Sequence, residues 1–292
     1  MAEDCFSYIP STEQYFSEYS TPLIVLLVIS AVLLVLVTGL FYQNAKIILD
    51  LYAQHCQFEL VIANGIYMVV VAFCLISLAV PWLSEKFNLA TLIVFSWCIF
   101  ALYRYILWTA GGHGALQQMY ESNSERLASG GRLKRLLYRI FGRYCVVRFS
   151  IIQFPIVSTI QSTIQIILHF IDIDQFYDTT YIFLPISLTS ILLYLVAFSL
   201  LVNLIEPSFP DPKIVTKFKF LRLVVLVIKI QVAIMEIIFR QVHIECTDFD
   251  GEAWSLFNII KQPVIMMQMV LLAFATWSLY RKEDKKNATS ES

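Results

Sequence analysis

Three groups of polar residues interrupt otherwise apolar stretches of the sequence, each spaced to fall on one side of a helix. In SIIQFPIVSTIQSTIQIILHF, from Ser150 to Phe170, the residues Ser158, Gln161, Ser162, Gln165 and His169 lie within about 100° of arc. In KFKFLRLVVLVIKIQVAIMEIIFR, Arg222, Lys229 and Glu236 recur every seven residues and share one face. In WSLFNIIKQPVIMMQMVLLAFATWSLY, Asn258, Lys261, Gln262 and Gln268 occupy an arc of about 120°. Amides, hydroxyls and ammonium groups bind and orient. No nucleophile stands with a base at catalytic spacing, and no His, Cys or carboxylate cluster has metal-ligand spacing. The expectation is therefore a path for a solute, without catalysis, metal or cofactor. The charge in these stretches leans positive, which suits an amphipathic organic anion. Taken singly, each polar residue reads as glue between helices, worth about 0.6 kcal/mol; a whole stripe is harder to explain that way.

The elements that must position these residues follow from composition. The chain is 58% hydrophobic and 15% charged over 292 residues, against about 45–50% and about 25% in soluble domains. Seven stretches are long enough to cross a hydrocarbon core, which takes about 20 helical residues. They run from about Pro22 to Phe41, Phe58 to Val80, Leu89 to Thr109, Ser150 to Phe170, Tyr181 to Ile205, Phe218 to Phe239 and Trp254 to Tyr280. In lipid the backbone must satisfy itself within each segment, so these are expected to be helices. The predicted fold class is an all-α membrane protein, a bundle of seven transmembrane helices. Residues 1–21 are read as a tail, 22–280 as one transmembrane domain with a basic loop at 110–149, and 281–292 as a second tail.

Lysine and arginine set the orientation, because basic loops stay cytoplasmic. With the N-terminus outside and the C-terminus in the cytoplasm, sixteen of the 21 basic residues fall inside, and only Lys86 and Arg240 fall in exterior segments. Acidic residues, Asp172, Asp174, Asp178, Glu245, Asp248, Asp250 and Glu252, crowd two outer loops. An integral membrane protein follows, with the plasma membrane the expected site and an endomembrane the alternative; nothing suggests a nucleic-acid partner. By depth, Glu236 and Lys261 lie in the outer part of the membrane on adjacent spans, where an ion pair between them would be either structural or functional. Lys229, Gln161 and Gln268 lie nearer the midplane, and Lys229 has no acidic neighbour one turn away. Arg104 is near an inner helix end and is free to snorkel.

In the largest loop, GGRLKRLLYRIFGRYCVVRF carries Leu133, Leu136, Leu137, Ile140, Phe141 and Tyr144 at helical spacing, with arginines elsewhere around the helix. This reads as an amphipathic helix on the inner leaflet, attracted by anionic membrane lipids. Cys145 beside it is a candidate for palmitoylation, the plainer reading being an unmodified thiol next to a basic anchor. Cys5 and Cys246 are the exterior cysteines; a disulfide between them and chance placement both remain open. The sequon Asn287-Ala288-Thr289 falls in the cytoplasmic tail and should be unused.

The segment WCIFALYRYILWTAGGHGAL resembles the end of the third span in the organic solute transporter alpha-subunit family, where an aromatic-rich helix ends in a Gly-Gly-Glu step. KFKFLRLVVLVIKIQ is similar to the start of that family's sixth span, with Lys217, Phe218, Arg222, Val224, Val225 and Gln231 at matching positions, and IMMQMVLLAFATWSLY resembles its seventh. His113 stands where the family has the acid, Gln268 where a glutamate is usual, and Cys145 alone represents a cysteine-rich stretch. The resemblance implies facilitated, bidirectional movement of bile acids, conjugated steroids or related lipid-like solutes. It also implies a single-span beta-type subunit, copies of the chain itself being the other partner expected, and lipid modification near Cys145. Ser158, Gln161, Gln165, His169, Lys229, Gln231, Glu236, Asn258, Lys261 and Gln268 are the expected substrate-pathway residues. A divergent seven-span receptor is the alternative, although no Asp-Arg-Tyr ends the third span, no proline breaks the sixth and no Asn-Pro-x-x-Tyr marks the seventh.

If Cys145 is acylated, an acyl-exchange assay on cells competent for palmitoylation will show a mass shift in the wild type that disappears in Cys145→Ser. Absence of the shift in the wild type rejects the modification.

Overall fold

The structure is a computed structural model that describes the backbone of residues 11–290 except 129–131, 172, 212, 232–233, 236–237 and 239–251. The side chains of 125–128, 133–135, 173–178, 180–181, 225–226, 229–230, 252–254 and 283–290 also fall outside the description. The described residues are helical, with no strand among them. Nine helices follow one another among these residues: α1 (Thr12–Leu51), α2 (Gln54–Ala79), α3 (Ser84–Thr109), α4 (His113–Ala128), α5 (Arg132–Phe141), α6 (Tyr144–Ile171), α7 (Ile173–Ile205), α8 (Ile214–Val225) and α9 (Glu252–Ser290). Six segments are long and apolar enough to cross a membrane, on α1, α2, α3, α6, α7 and α9. Among the described residues they coincide, to within a residue at the ends, with six of the seven stretches read from the sequence or extend beyond them. The remaining one, Phe218 to Phe239, is described only in part, as α8 followed by a π-helical turn at Leu226–Gln231.

Local chemistry explains the helix ends. A capping box opens α1 well ahead of Pro22: the Gln14 amide N–H donates to Ser11 Oγ at 3.3 Å, and the Ser11 N–H donates to Gln14 Oε1 at 3.0 Å. Pro22 then removes a donor, and the helix kinks at Tyr19, whose φ and ψ are −113° and 27°. At the end of α3, Gly111 and Gly112 adopt φ values of 88° and 101°. Gly112 N–H bonds to Leu107 O at 2.9 Å and Gly111 N–H to Trp108 O at 3.1 Å, the two bonds of a Schellman cap. The Gly-Gly step is thus a backbone requirement, since an L side chain at either position would be strained.

The chain divides into two compact units. The first comprises 1–51, 64–91 and 223–292. In it α1 and α9 pack along one another, and the π-helical turn also touches α9. Buried Leu23 and Val37 of α1, Ile66 and Val70 of α2, and Met266 and Met269 of α9 form its apolar interior. Hydroxyls and amides tie α2 to α9, with Asn64 Nδ2 donating to Tyr280 Oη at 3.2 Å and the Tyr67 and Thr276 hydroxyls bonded at 3.1 Å.

The second unit comprises 52–63 and 92–222. There α6 and α7 pack along their lengths, and α4 touches α5, α6 and α7. An aromatic chain runs through it, with ring centroids at 4.8 Å for Phe154 and Tyr194, 5.6 Å for Tyr194 and Phe198, and 4.6 Å for Phe198 and Phe218. The expected amphipathic helix is α5, shorter than its apolar pattern suggested. It stops at Phe141 because the chain bends at Gly142, and Tyr144 opens α6 instead.

Candidate functional site

In the first unit a polar centre forms around Asn258 on α9. Asn258 Nδ2 donates to Ser77 O at 3.0 Å, while its Oδ1 accepts from the Ser84 hydroxyl at 3.0 Å and from Gln262 Nε2 at 3.0 Å. Gln262 Nε2 also lies 3.3 Å from Ser84 Oγ. Asn258, Gln262 and Ser84 are fully buried. The centre is not fully satisfied. Tyr15 Oη sits beside Asn258 outside hydrogen-bonding geometry, and Tyr15 Oη, Ser255 Oγ and Gln262 Oε1 are buried without a partner among the described residues. Buried polar groups in native proteins are nearly always bonded, so three unmet ones on one side of α9 mark a place for water or a ligand.

Lys261 adjoins this centre. It is 1% exposed, and its ammonium lies 4.8 Å from the centroid of the Phe257 ring. No ion pair joins it to a carboxylate among the described residues. The expected partner Glu236 lies outside the described residues, so the predicted pair is untested. Lys229 belongs to the π-helical turn at Leu226–Gln231, and its side chain lies outside the description. Gln231 reaches Met235 Sδ at 3.9 Å. Gln268, two turns beyond Lys261, is half-buried, and its Oε1 has no partner among the described residues.

In the second unit the polar stripe of α6 divides into packing contacts. Ser158 Oγ reaches Leu92 O at 3.5 Å, Gln161 Nε2 donates to Phe183 O at 3.1 Å, and Ser162 and Gln165 are buried. His169 is half-buried near the end of α6. A cavity of about 370 Å³ opens beside the stripe, lined by Gln153, Val157, Pro185, Ile186, Thr189, Ser190 and Leu193. Its polar wall is the Gln153–Ser190 pair, with Gln153 Nε2 donating to Ser190 O at 3.4 Å. Ile186 is exposed at its edge. A polar wall beside an apolar rim suits a lipid-like solute, and Gln153 is the lining amide outside the predicted stripe.

Two further arrangements went unread in the sequence. Glu59, buried in α2, pairs with Arg104 Nη2 at 2.9 Å, while the Arg104 side chain stays partly exposed. Asp211 binds Lys217 Nζ at 2.6 Å and accepts the Tyr105 hydroxyl at 2.8 Å, and Lys217 also donates to Tyr52 Oη. The available signal was one carboxylate on each otherwise apolar or basic segment. Cys145 is exposed, whereas Cys5 and Cys246 lie outside the described residues.

A family model described as organic solute transporter Ostalpha matches residues 23–285. The chain belongs to that family. No curated protein and no solved structure matches it. Membership makes this chain a solute-transport subunit in a membrane and favours transport over the receptor reading.

Scaffold and site on α9 can be separated by thermal unfolding in detergent. Asn258→Ala removes three buried hydrogen bonds and leaves Ser84 and Gln262 only their contact with each other, so it should cost about 3 kcal/mol. Gln268→Leu removes an amide whose oxygen is already unpaired and should be neutral or slightly stabilising. Equal losses in the two variants would contradict this assignment.

Proposed function

We propose that this chain moves amphipathic organic anions, of the bile-acid or steroid-conjugate class, by facilitated transport across the plasma membrane. The observation that carries the reading is Lys261, an ammonium buried in the first unit with an aromatic ring beneath it and no carboxylate partner among the described residues. A buried cation is costly unless an anion meets it, and here a mobile anion can serve as the counter-ion. The unmet groups of Tyr15 and Ser255 supply hydroxyl donors for the same anion, and the Phe257 ring supplies an apolar face for its body. Lys229 enters the same reading, because its π-helical turn touches α9 and such turns recur at functional sites.

The wider proposal has seven spans, the N-terminus outside and the C-terminus in the cytoplasm. The polar residues of α6 with Gln231, Asn258 and Gln268 line the route, a single-span beta-type subunit or further copies of the chain act as partners, and an acyl chain is carried at Cys145. Family membership supports the solute class, and the basic residues support the orientation.

Uptake of labelled steroid sulfate should be measured in cells expressing the chain with and without single-span partners, alongside surface biotinylation. Lys261→Gln is expected to reduce uptake at least about tenfold per molecule at the surface, the effect of losing one charge-assisted contact. Lys261→Arg should keep part of the activity, as charge persists while geometry changes. Unchanged uptake by Lys261→Gln at normal surface levels would refute the role of Lys261.

A further inference from the structure

We infer that the second unit holds a binding site for the headgroup of an aminophospholipid, in the cavity between α4 and the segment that joins α5 to α6. This cavity has a volume of about 480 Å³ and is lined by Gln117, Glu121, Ser124, Tyr138, Gly142, Arg143 and Cys145. It is distinct from the Gln153–Ser190 cavity and shares no residue with it.

Three observations select the ligand. First, among the described residues the cavity wall carries one cation and one anion, Arg143 and Glu121, both exposed. A guanidinium takes a phosphate through paired charge-assisted hydrogen bonds, and a carboxylate takes a primary ammonium, so the wall matches a phosphate with an ammonium a few bonds beyond it. A simple phosphate would meet Glu121 unfavourably, and a choline headgroup has no N–H to offer it. Gln117 Nε2 already orients Glu121 by donating to its Oε1 at 3.1 Å, which leaves the carboxylate further acceptor capacity.

Second, the cavity adjoins surface fit for acyl chains. Tyr138 lines it while being partly exposed, and Leu136 and Ile140 of the same helix are 50% and 48% exposed. Apolar side chains left open on a short helix with Arg132 and Arg139 also exposed are expected of an element lying at a lipid interface. On the orientation given by the basic residues this is the cytoplasmic leaflet, where phosphatidylserine is found. A lipid is therefore the source of the headgroup, in preference to a free phosphoamine.

Third, the walls are fixed before any ligand arrives. The Tyr120 hydroxyl donates to Phe141 O at 2.6 Å, and burial raises its pKa, so it remains a donor. Gly142 N–H bonds to Tyr138 O at 2.8 Å, and a Cβ at Gly142 would run into that carbonyl oxygen and crowd the Tyr138 ring. Glycine here lets the chain turn tightly enough to place Arg143 opposite α4.

The test uses the purified full chain in detergent and fluorescent dioctanoyl phospholipids with ethanolamine, choline or glycerol headgroups, plus water-soluble glycerophosphoethanolamine as competitor. The ethanolamine lipid is expected to bind about tenfold more tightly than the other two lipids. Glu121→Gln should abolish that preference, and Arg143→Gln should weaken all three lipids alike; both side chains are exposed, so unchanged melting temperatures will verify folding. The free headgroup should compete at least about tenfold more weakly than the lipid, since it lacks the chains that cover Leu136 and Ile140. Equal binding of ethanolamine and choline lipids, or a preference that survives Glu121→Gln, would overturn the headgroup assignment. A free headgroup as effective as the lipid would overturn the lipid source.

Discussion

A polar side chain held among helices in hydrocarbon must find its partner inside the protein, because lipid offers none. That constraint organises both compact units. In the first, Asn258 meets it by binding Ser77, Ser84 and Gln262 at once, which fixes α9 against the end of α2 and the start of α3. In the second, Glu59 and Arg104 meet it as an ion pair, while Gln161 and Gln153 meet it on carbonyl oxygens of α7. Among the described residues the constraint is not met at Tyr15 Oη and Ser255 Oγ, and Lys261 faces the Phe257 ring without a described carboxylate, which is why the proposed solute site is put there.

Much of this was legible in the sequence because apolar length is a strong signal in membranes. Each of the six described spans falls where a continuous apolar stretch predicted it, and the polar face of α9 was visible in the spacing of Asn258, Lys261 and Gln262. The stripe on α6 was equally visible, yet its residues go to separate partners, Ser158 toward Leu92 and Gln161 toward Phe183, and periodicity cannot say what stands opposite a helix face. Partners distant in the chain were lost for the same reason. Glu59 and Arg104, or Asp211 and Tyr105, are joined only by the fold, and basic residues that set orientation carry no sign of which one, here Lys217, is buried against Asp211.

The turn that ends α3 and the face of α9 also have a physical reading. At the Gly-Gly step the glycines serve the backbone, closing α3 with two bonds that need positive φ, so the turn does not depend on the side chain of His113. Burial and the Arg148 guanidinium lower the His113 pKa, which disfavours a positive charge at this turn. Between Ser255 and Tyr280 the sequence holds one basic residue, Lys261, and no acidic one.

The proposed function requires the face of α9 around Lys261, whose described surroundings offer no carboxylate, to receive an organic anion. Its most direct test is ligand-dependent thermal stability of the purified chain, comparing a steroid sulfate with the neutral parent sterol. A ligand that binds only the folded state raises the melting temperature in proportion to its occupancy. The account predicts that the sulfate stabilises the wild type, that the parent sterol does so much less, and that Lys261→Gln removes the difference. Equal stabilisation by the sulfate and the sterol, or a sulfate effect undiminished in Lys261→Gln, would contradict it.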